Sequence, residues 1–168
     1  FGALVVLLLP HGQGARGAAR RVPCSNNIEQ IALARHSYHD AWRGFPAALL
    51  ADDDGKPMHS WRVALLPYLE QQALYEKYDF DQPWDSPNNL EVANHMPRAF
   101  QCPTTEDMNA DQANGGSGLT HYVVVIGESD VPRPTTMFAG NRWLRMSDVV
   151  DGTSNTILLV ESSVPVPW

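Results

Sequence analysis

Residues 24–40 carry the pattern that most restricts what this chain can become. The segment Cys24-Ser25-Asn26-Asn27-Ile28-Glu29 offers Asn26 as an N-cap, with Glu29 three places later to complete a capping box. From there Ile28, Ile31, Ala32, Arg35, Tyr38, His39 and Trp42 recur at helical spacing and fall on one side. The spacing predicts an amphipathic helix over 26–42 that buries this stripe against whatever follows. Arg43-Gly44 closes it, with Gly44 as the C′ residue. On the N-terminal side, Pro23 is expected to break or kink any helix arriving from upstream. That upstream segment is an apolar run at 1–9, weakened by Pro10 and three glycines, then a basic cluster of Arg16, Arg20 and Arg21. Residues 1–9 are too short to cross a bilayer, which takes about 20 apolar residues. They are also not a complete signal peptide, because no charged n-region precedes them.

After the helix, Phe45-Pro46 begins an irregular connection and residues 51–56 form an acidic turn. Ser60 is placed to cap a second helical segment containing Trp61, Leu65, Leu66, Leu69 and Leu74, which Pro67 kinks or splits. Ser86-Pro87 is an N-cap and N1 pair for a short helix through about His95. A short strand is expected at 100–102, a loop at 104–118, and the strongest strand at 120–126. Residues 129–136 read as loop, 145–150 as a helical turn, Asp151-Gly152 as a turn and 156–161 as a second strand. The proline-rich tail at 164–168 is expected to be extended. Helix first, sheet later, is an α+β plan with antiparallel strands.

With 168 residues the chain has room for one core, and 43% hydrophobic content suits a folded domain. A net charge of −7 argues against nucleic acid, whose affinity comes largely from Lys and Arg on phosphates. Cys24 and Cys102 are the two cysteines, too few for a disulfide scaffold. Composition leaves open one bridge or two buried thiols.

Several segments invite a chemical reading. His36 and His39, three apart on a helix, are spaced to share a metal, with Cys24 and Cys102 to complete a Cys2His2 set. Strong zinc motifs carry a close Cys pair, which is missing here, and a bridged cysteine has no thiolate to give. Asp52-Asp53-Asp54-Gly55 and the segment from Asp107 to Asp111 resemble calcium loops. Both fail the EF-hand pattern at required ligand or glycine positions, and solvated turns are the plainer reading. The glycine-rich 115–118 lacks both the lysine of a phosphate-binding loop and the spacing of a nucleophile elbow. In Asp151-Gly152-Thr153-Ser154-Asn155, Ser154 has no base partner identifiable in sequence, and Asp-Gly is an ordinary turn pair. Trp61, Trp84 and Tyr122 either line a ligand groove or staple loops onto the core. None of these motifs requires a cofactor.

The chain resembles the DUF1559 proteins, a mostly planctomycete group whose N-terminus is similar to type IV prepilins and type II secretion pseudopilins. The matching pieces run in order: Leu7-Leu8-Leu9-Pro10, Ala15-Arg16, Ala18-Ala19-Arg20-Arg21, Cys24-Ser25-Asn26-Asn27, His36-Ser37-Tyr38-His39-Asp40 and Phe45-Pro46. They continue with Ser60-Trp61-Arg62-Val63, Leu66-Pro67-Tyr68-Leu69-Glu70-Gln71, Pro83-Trp84-Asp85-Ser86-Pro87-Asn88, Phe100-Gln101-Cys102-Pro103 and Asp151-Gly152-Thr153-Ser154-Asn155-Thr156-Ile157. The resemblance implies a pilin-like N-terminal helix packed on a small antiparallel sheet. Residues 1–22 would be the remnant of the hydrophobic helix and its basic juxtamembrane segment, and 23–168 the globular domain, with the sequence cut at both ends. It implies a non-enzymatic envelope protein, anchored in the cytoplasmic membrane with its body outside, or packed in a filament. Its partners would be the inner membrane, other pilin-like subunits and, for the full-length precursor, a prepilin peptidase. Export in turn favours a Cys24–Cys102 bridge. The alternative is an extracytoplasmic solute- or carbohydrate-binding module on the same anchor.

Overall fold

The computed structural model describes residues 12–103, 118–127, 136–140 and 142–168, with side chains from residue 22 onward. The first element, α1 (Gly12–Trp42), is 31 residues long and continues without a break through Pro23. At 1.5 Å per residue it is about 46 Å in length. The expected break at Pro23 is thus corrected. Pro23 lies on an exposed face, where water can take up the hydrogen bond the ring cannot make. The next turn is fixed by long-range anchors rather than by a cap. Cys24 is bridged to Cys102, with the Cα atoms 5.1 Å apart. Asn27 donates from its side-chain amide to the Gln101 carbonyl at 2.6 Å and to the Tyr122 hydroxyl at 3.3 Å. Asn26, the expected N-cap, is exposed in mid-helix.

The buried face of α1 is Cys24, Ile31, Ala34, Arg35 and Tyr38, with Ile28 partly covered. This is the expected stripe moved toward its N-terminal end. Ala32 is peripheral, and Trp42 is 57% exposed, with its indole N–H donating to the Tyr68 hydroxyl at 3.1 Å. The helix ends at Trp42 as expected, but Arg43 rather than Gly44 takes the left-handed conformation (φ 60°). Gly44 is used for its size instead: a Cβ there would meet the Trp143 ring at 3.4 Å.

Strands β1 (Leu49–Ala51) and β2 (Pro57–Ser60) form an antiparallel hairpin across the acidic turn. Asp52 makes that turn by accepting at Oδ1 from the backbone N–H groups of Asp54 (3.1 Å) and Lys56 (2.8 Å), and Gly55 supplies φ 80°. Ser60 then caps α2 (Trp61–Ala64), as expected. Pro67 lies in a 3-10 turn (Leu66–Leu69) that separates α2 from α3 (Gln72–Lys77). Ser86 caps α4 (Pro87–Ala93), accepting from the Asn89 N–H at 3.3 Å. Asn89 is fully buried and holds the preceding loop: its amide donates to the carbonyls of Asp79, Gln82 and Pro83, and its oxygen accepts from the Asp79 N–H.

The strand expected at 100–102 is instead a 3-10 turn (Arg98–Phe100), whose last carbonyl accepts from the Thr120 hydroxyl at 2.7 Å. The loop expected at 104–118 lies, apart from Gly118, outside the described residues. Strand β3 (Leu119–Val123) pairs antiparallel with β4 (Val160–Pro167), Tyr122 standing opposite Glu161, with a register shift between Thr120 and Tyr122. The second strand therefore begins later than 156–161 suggested, and the proline-rich tail is part of it. Among the described residues β4 pairs with β3 alone, so Pro165 and Pro167 can point their missing N–H away from the ladder.

Among the described residues the sheet content is two separate two-stranded pairs, β1-β2 and β3-β4. The main core packs α1 against Phe45, Trp61, Leu65, Phe100, Tyr122, Phe138 and Leu144. A smaller cluster of Val63, Leu66, Tyr78 and Val92 lies beside it. Trp168 joins the two: it packs on both, stacks on Phe100, and donates from its indole N–H to the Ala93 carbonyl at 2.6 Å.

Candidate functional site

A groove of about 390 Å³ opens between the two strand pairs. One side is built by Leu49, Pro57 and His59 of the first pair, the other by Val123, Val124 and Pro167 at the second. Trp61 and Arg62, at the start of α2, form its buried lining, and Trp84 and Ile126 its exposed rim. The Ser60 cap fixes where α2 begins, and so delivers these two side chains to the groove. Trp61 and Trp84, two of the three expected aromatics, thus share one wall system. Tyr122 does not line it. That ring is fully buried, its hydroxyl donating to the Cys24 carbonyl at 3.3 Å and accepting from Asn27. Burial pushes the Tyr122 phenol pKa up.

Arg62 is the residue that sequence reasoning missed. It is 8% exposed. Its Nη2 donates to the Tyr122 carbonyl at 2.8 Å, its Nη1 to the Ser60 hydroxyl at 3.3 Å, and its guanidinium lies 4.9 Å from the Trp61 ring centroid. Its buried Nε finds no acceptor among the described residues. Burial lowers its pKa to about 10, so it remains a cation at neutral pH. The groove lining contains no Asp or Glu among the described residues. A second cleft, between α3 and α4, is lined by Lys77, Glu91 and His95, so charges of both signs already meet there.

His59 stands in the groove wall with a defined tautomer. Nε2 is 3.0 Å from the Phe80 carbonyl, which can only accept, so Nε2 carries the proton. Nδ1, 3.0 Å from the Tyr78 hydroxyl, is then the acceptor and the phenol the donor. Burial lowers the His59 pKa below its ordinary 6.5, partly offset by the Phe80 carbonyl and Asp79, and raises that of Tyr78 to about 12. A histidine depressed in the fold stabilises it above the unfolded pKa, and the contribution is lost as pH falls through and below 6.5, where the unfolded chain binds the proton first. The urea midpoint is expected to fall more between pH 7.5 and pH 5 for the natural protein than for His59→Gln. Equal falls would show that His59 does not titrate against folding.

The remaining candidates are placed as follows. His36 and His39 flank the Phe45 ring, with centroids 5.7 and 4.6 Å away, and His39 Nδ1 lies 3.7 Å from an Asp40 oxygen. Among the described residues the group with metal-type donors close together is Cys24, Cys102 and Glu161, and the bridge removes both thiolates from it. The Cys2His2 set is therefore not assembled. Asp52 is engaged by its own turn, and residues 107–111 lie outside the described residues. Ser154 is exposed in a turn, where Asn155 donates to the Asp151 carbonyl and Thr156 to that of Gly152.

Together these features define an α+β domain whose long first helix is covalently tied to its body and whose two strand pairs flank an aromatic groove with one buried cation. The model of a protein family of unknown function, DUF1559, matches residues 13–167, and the chain belongs to that family. No curated protein and no solved structure matches it.

Proposed function

We propose that this protein is a non-enzymatic, pilin- or pseudopilin-like component of the cell envelope. Its N-terminal helix anchors it in the cytoplasmic membrane or packs it among like subunits, and its body lies outside the cytoplasm. The observation that carries this reading is α1. It is 31 residues long, its described body-facing side chains begin at Cys24, and Val22 and Pro23 are exposed. The run at 1–9 that precedes the helix in sequence is apolar, a segment that lipid or neighbouring rods would cover. No helix among the described residues is itself long and apolar enough to cross a membrane. The Cys24–Cys102 bridge fits an oxidising compartment. The segments that suggested chemistry, Asp52 and the Asp151 turn, spend their polar groups on local hydrogen bonds. Assembly with pilin-like subunits of a type II secretion or type IV pilus-like machine, and processing by a prepilin peptidase, belong to the same reading.

Fractionation of the native host, followed by intact mass of the recovered protein, tests it. The expected protein sediments with membranes or filaments, needs detergent or shear for release, and carries an N-methylated first residue. An unmethylated protein in the soluble fraction would overturn the reading. The groove between the strand pairs favours a second reading, a solute-binding module displayed on the same anchor.

A further inference from the structure

We infer that the groove between the two strand pairs binds a small monoanionic amphiphile, a carboxylate carried on a flat apolar body. This deepens the binding-module reading and rests on the groove alone, not on the anchor. The cation comes first. Arg62 is more than nine-tenths buried, lines the groove, and has an Nε without an acceptor among the described residues. That nitrogen is itself sealed off; what the groove offers a ligand is the charge of the guanidinium, which meets no carboxylate among the described residues and which an anion in the groove would balance.

Ser60 supplies a neighbouring donor. Its oxygen already accepts from the Arg62 backbone N–H and from Nη1, both at 3.3 Å, which leaves its own proton to give. A carboxylate can accept that proton and balance the guanidinium charge at once. The surroundings then select the charge. With His59 neutral and no Asp or Glu in the described lining, the site holds one positive charge and nothing to balance it. A monoanion is matched. A dianion such as a phosphate ester would bring a second charge into apolar walls with no partner.

The body of the ligand follows from the rest of the lining. Trp84, 47% exposed at the rim, offers an aromatic ring, Trp61 is a buried apolar backing, and Val123, Val124 and Pro167 offer no hydrogen-bonding side chain. A polyol would leave hydroxyls unsatisfied against that wall, whereas a flat apolar body would not. The volume, about 390 Å³, lies within the range of small-molecule pockets.

The test is calorimetric titration of the purified, oxidised protein with 2-naphthoate and with its uncharged isostere 2-naphthamide. Naphthoate is expected to bind at least ten-fold tighter than the amide. Arg62→Met should abolish that preference, Ser60→Ala reduce it, and Trp84→Ala weaken both ligands together. If Arg62→Met does not fold, the paired ligands on the natural protein and on Ser60→Ala still decide the matter. Equal binding of acid and amide overturns the charge assignment while leaving a groove that binds apolar solutes. Absence of saturable binding by either overturns the site and the binding-module reading together. A dimer in sedimentation that naphthoate does not dissociate also overturns it, and gives the groove to a second copy.

Discussion

Replacing Cys24 and Cys102 together by serine is expected to lower the unfolding free energy by about 4.5 kcal/mol, the loop-entropy value for a bridge of this span. The two cysteines are separated by 78 residues, so the bridge removes a large part of the freedom of the unfolded chain. Domains of this size are stable by only about 5–15 kcal/mol, so the loss is a sizeable fraction of the whole. Both residues are almost fully buried, at 3% and 0% exposed, so reductant should reach them only through unfolding. Guanidinium titrations with and without reductant read the difference. The midpoint should drop sharply, and the slope should rise because the unbridged unfolded chain exposes more surface. Alkylation before and after reduction, read by intact mass, should give two labels only after reduction. An unchanged midpoint would mean that the segment from Cys24 to Cys102 is already restrained in the unfolded state.

The second large effect is expected at Arg35. This side chain is 1% exposed, and its guanidinium sits between the rings of Phe45 and Phe138, at 4.2 and 4.1 Å from their centroids. Nη2 donates to the Met137 carbonyl at 2.5 Å, while Nε and Nη1 find no acceptor among the described residues. Burial lowers its pKa to about 9. The residue therefore works mainly as a long, flat spacer whose charge is poorly compensated. Arg35→Ala should cost about 3–5 kcal/mol, from the cavity between the two rings and the orphaned Met137 carbonyl. Arg35→Met fills most of that volume and removes the buried charge but still orphans the Met137 carbonyl, a cost of about 1–3 kcal/mol that relief of the charge offsets, so it should be clearly less damaging than Arg35→Ala. Thermal and chemical unfolding of both variants separates the cases. If Met is as damaging as Ala, the charge itself holds the core.

These elements also show where sequence is informative and where it is not. The run from Ile28 to Tyr38 was legible because helical spacing is a local signal, and the caps at Ser60 and Ser86 because capping is decided within a few residues. Pro23 misled for the same reason: its local preference yields to Cys24 and Asn27, whose partners lie more than seventy positions away. The β1-β2 hairpin left little trace, since Leu-Leu-Ala and Pro-Met-His-Ser lack the β-branched alternation that marks a strand. β4 was displaced because its prolines suit a strand paired on one side, and its pairing with β3 alone among the described residues is a tertiary fact. The aromatic pair Trp61 and Trp84 could be guessed. The groove could not, because its walls come from segments far apart in the chain, and arginine is by default a surface residue.

The bridge has a mechanical side as well. Tension applied to the N-terminal end of α1 enters the body at Cys24 and can cross directly to Cys102, next to the start of the β3-β4 pair. The load then bypasses the intervening segment, which holds the rest of α1, the first hairpin and helices α2 to α4. Asn27 locks the same junction from the next turn of the helix. A domain tethered in this way can be dragged by its helix without that segment unravelling, because the bridge carries the load past it.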